Sequence, residues 1–405
     1  MFRHFWVILA VLLSAAGAYA QNFSGLARVD PARSGIVDQR AQTTLDLHLT
    51  QGVPWRMFTL TDPLRLVLDF QEVDWSGLDA ATFDASERVV TVQMGTFVPG
   101  WSRMVAELAE PLDITQAEVR VNDETGEAHM HLVLEAMDAE AFAAASGAPD
   151  DPRWDWPEPQ PLVARPEVAE DAPLVVVLDP GHGGVDPGAE QGETIEKHLM
   201  LTFARELREV LLRSGGYQVV LTRDADVFVS LERRITLARR ANADVFISLH
   251  ADSLSEGLAH GATVHVLARD ASDVASAKLA ERHDRADLLS GVDLSDTDDA
   301  VTGILLDLAR TETQPRTEAL ARALVSAMAQ TGGPMNRRPL RSAAFSVLKA
   351  ADIPSVLIEI GFLSSPRDFR NLSNPEWRLR MAEAIRNGLD QWRAEDAARK
   401  PLVRQ

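Results

Sequence analysis

The chain has 405 residues, 60 acidic against 40 basic side chains, a formal net charge of −20 and no cysteine. That charge opposes tracking a nucleic-acid phosphate backbone or an anionic membrane surface, and the missing thiols exclude disulfides and thiolate metal ligands. The length exceeds one typical core, so two domains are expected.

At the start, Arg3 and His4 precede a short apolar stretch, Phe5 to Leu13, and Ala18-Tyr19-Ala20 gives an A-x-A cleavage pattern. This predicts a secretory signal peptide over 1–20, cut after Ala20, since a spanning helix needs about 20 apolar residues. The sequence offers no later stretch able to span, so an exported, soluble mature chain without a transmembrane segment is expected.

Over 21–142 the hydrophobic pattern has period two. Leu45, Leu47 and Leu49 alternate with Asp46 and His48, and Leu64, Leu66, Leu68 and Phe70 with Arg65, Val67 and Asp69. Val90, Val92 and Met94 alternate with Thr91 and Gln93, and Met130, Leu132 and Leu134 with His129, His131 and Val133. Glycines and prolines punctuate these runs, which predicts an all-β, antiparallel sandwich. His48, His129 and His131 fall on its solvated face, which is the plainer explanation for them; metal binding by the His129/His131 pair is the alternative. Residues 143–173, rich in proline and acid, read as an extended linker. Trp154 and Trp156 within it either anchor against a flanking domain or dock on a partner.

Residues 174–397 then alternate between the two periodicities. The spacing predicts strand 174–179, helix 195–213, strand 217–221, helix 231–241 and strands 244–249 and 262–267. A helical stretch follows from about 272 to 331, broken near 291–299, then strands 345–349 and 354–360 and a last helix, 375–395. Such alternation predicts an α/β domain whose mixed, mostly parallel sheet is flanked by helices.

Two histidines stand just past β-rich apolar runs: His182 in LVVVLDPGHGG and His250 in ADVFISLHAD. In an open α/β sheet, ligands gather beyond the carboxyl ends of the strands, so the two can converge. An acid from a neighbouring helix would complete an open, three-ligand zinc site. Glu196 fits best, one turn before Leu199 in an inward stripe with Phe203, Leu207 and Val210; Glu193 is the competitor, placed outside the helix. Glycines at 181, 183 and 184 let the backbone approach closely, and Asp186 is placed to orient the His182 imidazole. A dinucleotide fingerprint fails, because Asp186 occupies the third glycine position of G-x-G-x-x-G. Glu359, in IPSVLIEIGFLSS, sits among apolar neighbours near a strand end. A carboxylate beside a metal site is the usual general base of metal-assisted amide hydrolysis; a paired core acid is the plainer alternative.

With these residues in place, the chain resembles the zinc-dependent N-acetylmuramoyl-L-alanine amidases of the bacterial cell-division type. The matching segments are DPGHGGVDPGA, Glu196–Lys197, LTRDAD with LERRITLARRANADVFISLHAD, and LKAADIPSVLIEIGFLSS. The resemblance implies a sheet of about six strands, zinc ligands His182, Glu196 and His250, and Glu359 as the catalytic acid/base. RLVLDF and GTFVPGWSRMVAEL resemble, less specifically, the AMIN module that precedes many such amidases. That likeness implies a peptidoglycan-binding sandwich that helps place the enzyme at the division site. In such enzymes an insertion after the second zinc histidine, here about 272–310, carries a helix that blocks the site. A glutamate in a pattern resembling E-R-E-N-x-A-D completes the metal shell until an activator with a LytM-type domain displaces it. Here the segment reads ERHDRAD, 281–287, with His283 in place of that glutamate and Glu281 turned to another face. Three readings follow: a plug with a histidine donor, a plug acting by steric fit alone, or an exposed helical histidine. Gly291 to Asp299 read as a hinge, and Ile304, Leu305, Leu308 and Ala309 as an apolar stripe awaiting packing or a partner helix.

The function implied is a periplasmic peptidoglycan amidase. Two other classes remain at this stage: a non-catalytic wall-binding or activator protein, and another zinc-dependent wall peptidase or deacetylase.

Overall fold

The computed structural model describes residues 27–403 apart from 72, 99–100, 123–124, 150–171, 254–258, 269, 290–301 and 351. The expected signal peptide, most of the linker with Trp154 and Trp156, and the expected hinge lie outside the described residues. No described helix is long and apolar enough to cross a membrane.

The N-terminal part is a sandwich of two sheets. One runs Leu112–Val121, Ala128–Ala136, Gln42–Leu49, Gly35–Gln39 and Asp84–Ala85; the other runs Trp55–Leu60, Arg65–Gln71, Trp101–Leu108 and Val89–Val98. Period-two alternation sends Leu45, Leu47, Met130 and Leu132 of the first sheet against Leu66, Leu68, Phe70 and Met104 of the second, as stacked sheets require. One expected core residue is displaced. Val90 is 58% exposed while Val89 and Val92 are buried, because a register shift between Val89 and Thr91 turns the strand there. In the Arg65–Gln71 strand the alternate residues are buried as well, with Asp69 paired to Arg103 and Arg56.

The C-terminal part is a three-layer α/β structure. Its strands are β1 (Leu174–Pro180), β2 (Tyr217–Leu221), β3 (Val245–His250), β4 (Ala262–Leu267), β5 (Met335–Ala343) and β6 (Ser355–Glu359). Its helices are α1 (Glu196–Ser214), α2 (Leu231–Arg240), α3 (Val274–Leu289), α4 (Thr302–Ala327), α5 (Pro366–Leu372) and α6 (Pro375–Val403). The sheet order is β2-β1-β3-β6-β4-β5, parallel except where β4 meets β6. The central strands are apolar on both faces because both are covered. Val176, Leu178, Ile247, Val356 and Ile358 pack with residues of α1, α4 and α6. Val177, Phe246 and Leu357 pack with Ala238 of α2, Leu279 and Ala280 of α3, and Phe345.

Some expected elements differ. Residues 345–349 are not a strand: Ser346–Leu348 form one 3-10 turn, with Val347 and Leu348 buried in the second core. The strand is Met335–Ala343, which carries three arginines and Pro339. Among the described residues it lies at the sheet edge and pairs with β4 alone, where a missing N–H is tolerated. The inward stripe of α1 is Met200, Phe203, Ala204, Leu207 and Leu211, with Leu199 half-buried at its border. Ile304, Leu305, Leu308 and Ala309 lie on the first turns of α4, their side chains outside the described residues.

From β1 the chain crosses to β2 on one side, then returns past β1 to β3 on the other. The strand order therefore reverses between β1 and β3. Crevices form beyond the carboxyl ends of strands at such a reversal.

Candidate active site

That crevice is where the predicted residues meet. His182 follows β1 by two residues, His250 ends β3, and Glu359 ends the adjacent β6, directly opposite His250 in register. Glu196 opens α1 and is fully buried. Its Oε2 lies 3.3 Å from His182 Nε2 and its Oε1 lies 3.2 Å from His250 Nδ1. Backbone amides hold the carboxylate in place: Ala189 N–H donates to Oε2 at 2.9 Å and Ala251 N–H to Oε1 at 2.8 Å.

Asp186 accepts from His182 Nδ1 at 2.8 Å. A carboxylate can only accept, so Nδ1 carries a proton in either charge state, and Nε2 presents a lone pair to the crevice when the ring is neutral. There Nε2 is buried without a hydrogen-bond partner, since its contact with Glu196 lacks hydrogen-bond geometry. Gly188, at φ +69°, lets the loop close on the site, because a Cβ there would lie 2.6 Å from His182 Cδ2.

Glu359 is fully buried; Oε2 accepts from Asp252 N–H at 3.0 Å, and Oε1 has no hydrogen-bond partner. His283 comes from α3 and is 5% exposed. Its ring stacks on His250, centroids 4.2 Å apart and tilted by 23°. Its Nε2 lies 3.5 Å from Asp252 Oδ2, yet neither imidazole nitrogen has a hydrogen-bond partner. Donor atoms of His182, His250 and His283 fall within 4.8 Å of one another, as do those of Asp252, His283 and Glu359. This group of imidazoles and carboxylates can hold a metal ion. Glu193 and Glu281 are exposed and take no part.

The electrostatics favour one positive charge at the meeting point. Burial alone would keep His182 neutral, but the charges of Asp186 and Glu196 outweigh it and raise its pKa well above the usual imidazole value. Burial also disfavours the Glu196 carboxylate, yet the two imidazoles beside it hold its pKa well below the usual range. His250 is pushed down to about 4 by burial and then by the charge of His283. Glu359 moves the other way, raised well above its ordinary value by burial and then by the charges of Asp252 and Glu196.

Beneath the site lies a buried polar network that sequence reasoning missed. Asp179 accepts from Thr222 Oγ1 (2.6 Å), Ser248 Oγ (2.7 Å) and Arg234 Nη1 (2.7 Å). Arg234 also donates to the carbonyls of Pro180, His182 and Val229. Arg223 donates to Pro180, Gly181 and Lys197 carbonyls, tying the β1 loop to the start of α1. LTRDAD and LERR show arginines and aspartates between apolar runs, but neither segment shows the partners they meet. A separate cluster lies on the sandwich, where Asp46 Oδ1 accepts from His129 (2.7 Å) and His131 (2.8 Å) and His48 stacks on His129 at 4.0 Å. All are part-exposed, and donor atoms of Asp46, His129 and His131 lie within 4.8 Å of one another.

Residues 176–391 match the family described as N-acetylmuramoyl-L-alanine amidase. The chain belongs to that family. Residues 36–129 match the AMIN domain. Among relatives, the N-acetylmuramoyl-L-alanine amidase AmiC of Neisseria meningitidis serogroup B is 31% identical over 86% of this chain and 86% of that protein. AmiC of Escherichia coli O6:H1 is 28% identical over 88% of this chain and 87% of that protein. AmiA of Escherichia coli K12 is 37% identical over 53% of this chain and 74% of that protein. Among solved structures, the amidase AmiC2 of Nostoc punctiforme is 29% identical with a TM-score of 0.39, covering 54% of this chain and 96% of that one.

Proposed function

We propose that this amidase holds one zinc ion between His182, Glu196 and His250 and cleaves the amide between the lactyl group of N-acetylmuramic acid and L-alanine of the peptidoglycan stem peptide. The observation that carries the reading is the convergence of donors from three separated stretches, with Glu359 on the next strand. Leaving a buried polar atom unpaired costs about 1–3 kcal/mol, and His182 Nε2 and Glu359 Oε1 are both in that position. A hard-to-borderline cation and its substrate would satisfy them. Two imidazoles and one carboxylate form a hydrolytic zinc set with one position open. When bound, zinc supplies Lewis-acid polarisation of the amide carbonyl and lowers the pKa of water toward about 7.

The protein's own groups supply the rest. Asp186 fixes the His182 tautomer, and the Asp252 amide holds Glu359 Oε2, leaving Oε1 available for proton transfer. Glu359 Oε1 takes the proton of the attacking water and returns it to the alanine nitrogen as the amide breaks. Burial and the charges of Asp252 and Glu196 raise its pKa well above the ordinary carboxyl value, which favours its holding the proton between the two halves of that transfer.

The arrangement is a closed one. The His283 ring lies against His250, and α3 is tied down by Arg282 to Asp252 and by Asp284 to Ser346. We read α3 as an autoinhibitory plug with a histidine in place of the family's glutamate, displaced by a LytM-domain activator. The location proposed is the periplasm, after removal of residues 1–20, with the AMIN sandwich binding the wall and the activity serving wall turnover and daughter-cell separation.

Digestion of purified peptidoglycan with mass analysis of the products tests the reaction. Free stem peptides and unsubstituted glycan chains, lost in Glu359→Ala, are expected. Fragments cut within the stem would replace this reading with a peptidase, and loss of acetate alone with a deacetylase.

A further inference from the structure

The N-terminal sandwich touches the catalytic part at the loop that carries His182. Val185 N–H donates to Thr96 O at 3.0 Å and Phe228 N–H to Phe97 O at 3.1 Å, so the Val89–Val98 strand binds two catalytic loops through its backbone. Phe97, Val185 and Phe228 form their own small buried cluster, with the two rings stacked at 5.4 Å. The Arg103 guanidinium lies 3.6 Å over the Phe97 ring and is anchored by Asp69.

The fit at this contact is close. A Cβ on Gly95 would come within 2.5 Å of Gly184 O, and one on Gly184 within 1.8 Å of Thr96 O. Val185 is three residues from His182 and adjacent to Asp186, the residue that fixes the His182 tautomer. A second contact reaches the plug: Arg285 of α3, two residues past His283, donates to buried Glu107 of the sandwich.

A module that only tethers an enzyme to its substrate has no need to contact the metal loop and the plug helix together. We propose that the sandwich is a structural part of the catalytic centre. Its Val89–Val98 strand holds the His182–Asp186 turn in its ligating shape, and Glu107 holds α3 in the closed position. Pulling the sandwich away would then loosen the plug and the metal loop in one movement. The inference rests on the zinc amidase reading for what the loosened site does, but the contact itself can be tested separately.

Gly95→Leu and, should that variant misfold, Phe97→Ala break the strand–loop contact from the sandwich side. Glu107→Gln breaks the helix contact. Hydrogen exchange is followed by mass spectrometry in the full chain over 183–188, 226–230 and 274–285, with 42–49 reporting on the fold of the sandwich. Zinc affinity is measured by chelator competition. For Gly95→Leu or Phe97→Ala the expected results are faster exchange at 183–188 and 226–230, unchanged exchange at 42–49, and zinc affinity lower by about tenfold, as for lost outer-shell support. For Glu107→Gln, exchange over 274–285 rises with zinc affinity retained. Unchanged exchange in all three segments would overturn the proposal and leave the sandwich a tether. Wild-type protein that binds no zinc would instead overturn the metal reading, whatever the exchange shows.

Discussion

The plug makes a quantitative prediction for Arg282→Ala. Arg282 Nη1 donates to Asp252 Oδ1 at 2.5 Å and also to the Ser253 carbonyl. Asp252 is 2% exposed, and its other oxygen already lacks a hydrogen-bond partner. Removing the guanidinium leaves Asp252 Oδ1 with the Ser253 N–H but without its charged partner only while α3 is closed, because opening exposes Asp252 to water. A hydrogen bond to a charged group is worth about 1.5–3 kcal/mol. The Arg282 side chain is 43% exposed, so solvent screening holds the loss near the lower end, about 1–2 kcal/mol. If the open form is the minor one, that raises its population about 5–30-fold. Release of dye from labelled sacculi, without activator, should rise by that factor. A folded, zinc-loaded variant with an unchanged rate would refute the claim that this ion pair holds the site shut.

Asp179→Ala should destabilise the catalytic part by about 3–5 kcal/mol, the range for breaking a buried pair and stranding its partner, here Arg234. Thermal unfolding checks this, and Asp179→Ala with Arg234→Met should lose less than the two single changes together. The Asp179 pKa is lowered because Arg234, Thr222 and Ser248 outweigh the opposing effect of burial. Its stabilisation is therefore complete above the unfolded value of about 3.9 and disappears as pH falls through the lower folded value. The stability gap between wild type and Asp179→Ala should be flat in neutral solution and close only in strong acid. Asp186→Ala removes the acceptor that sets the His182 tautomer, and zinc affinity measured by chelator competition should fall about 10–100-fold.

Much of the site was legible because its residues break local patterns. His182 and His250 stand where apolar β runs stop, and Glu359 interrupts an otherwise apolar strand, so each asks for a partner the local sequence does not supply. Glu196 was reached through helix periodicity, although the stripe it heads runs through Met200 rather than Leu199. Asp179, Arg223 and Arg234 were hidden because their partners lie on other strands and loops, and nothing in LVVVLDP distinguishes a buried aspartate from one at a strand end. The edge strand Met335–Ala343 was hidden by its arginines and Pro339, acceptable only because one side of it is unpaired. The meeting of Gly95 with Gly184 has no local signature, since each glycine reads as ordinary turn or strand punctuation until the two loops are brought together.

Anomalous diffraction at the zinc edge, on protein purified without added metal, decides whether an ion sits where the side chains converge. One strong peak bounded by His182 Nε2, His250 Nδ1 and Glu196 is expected, which disappears together with hydrolysis after chelation and returns with zinc. A peak elsewhere, or full hydrolysis by protein stripped of metal, would contradict that expectation.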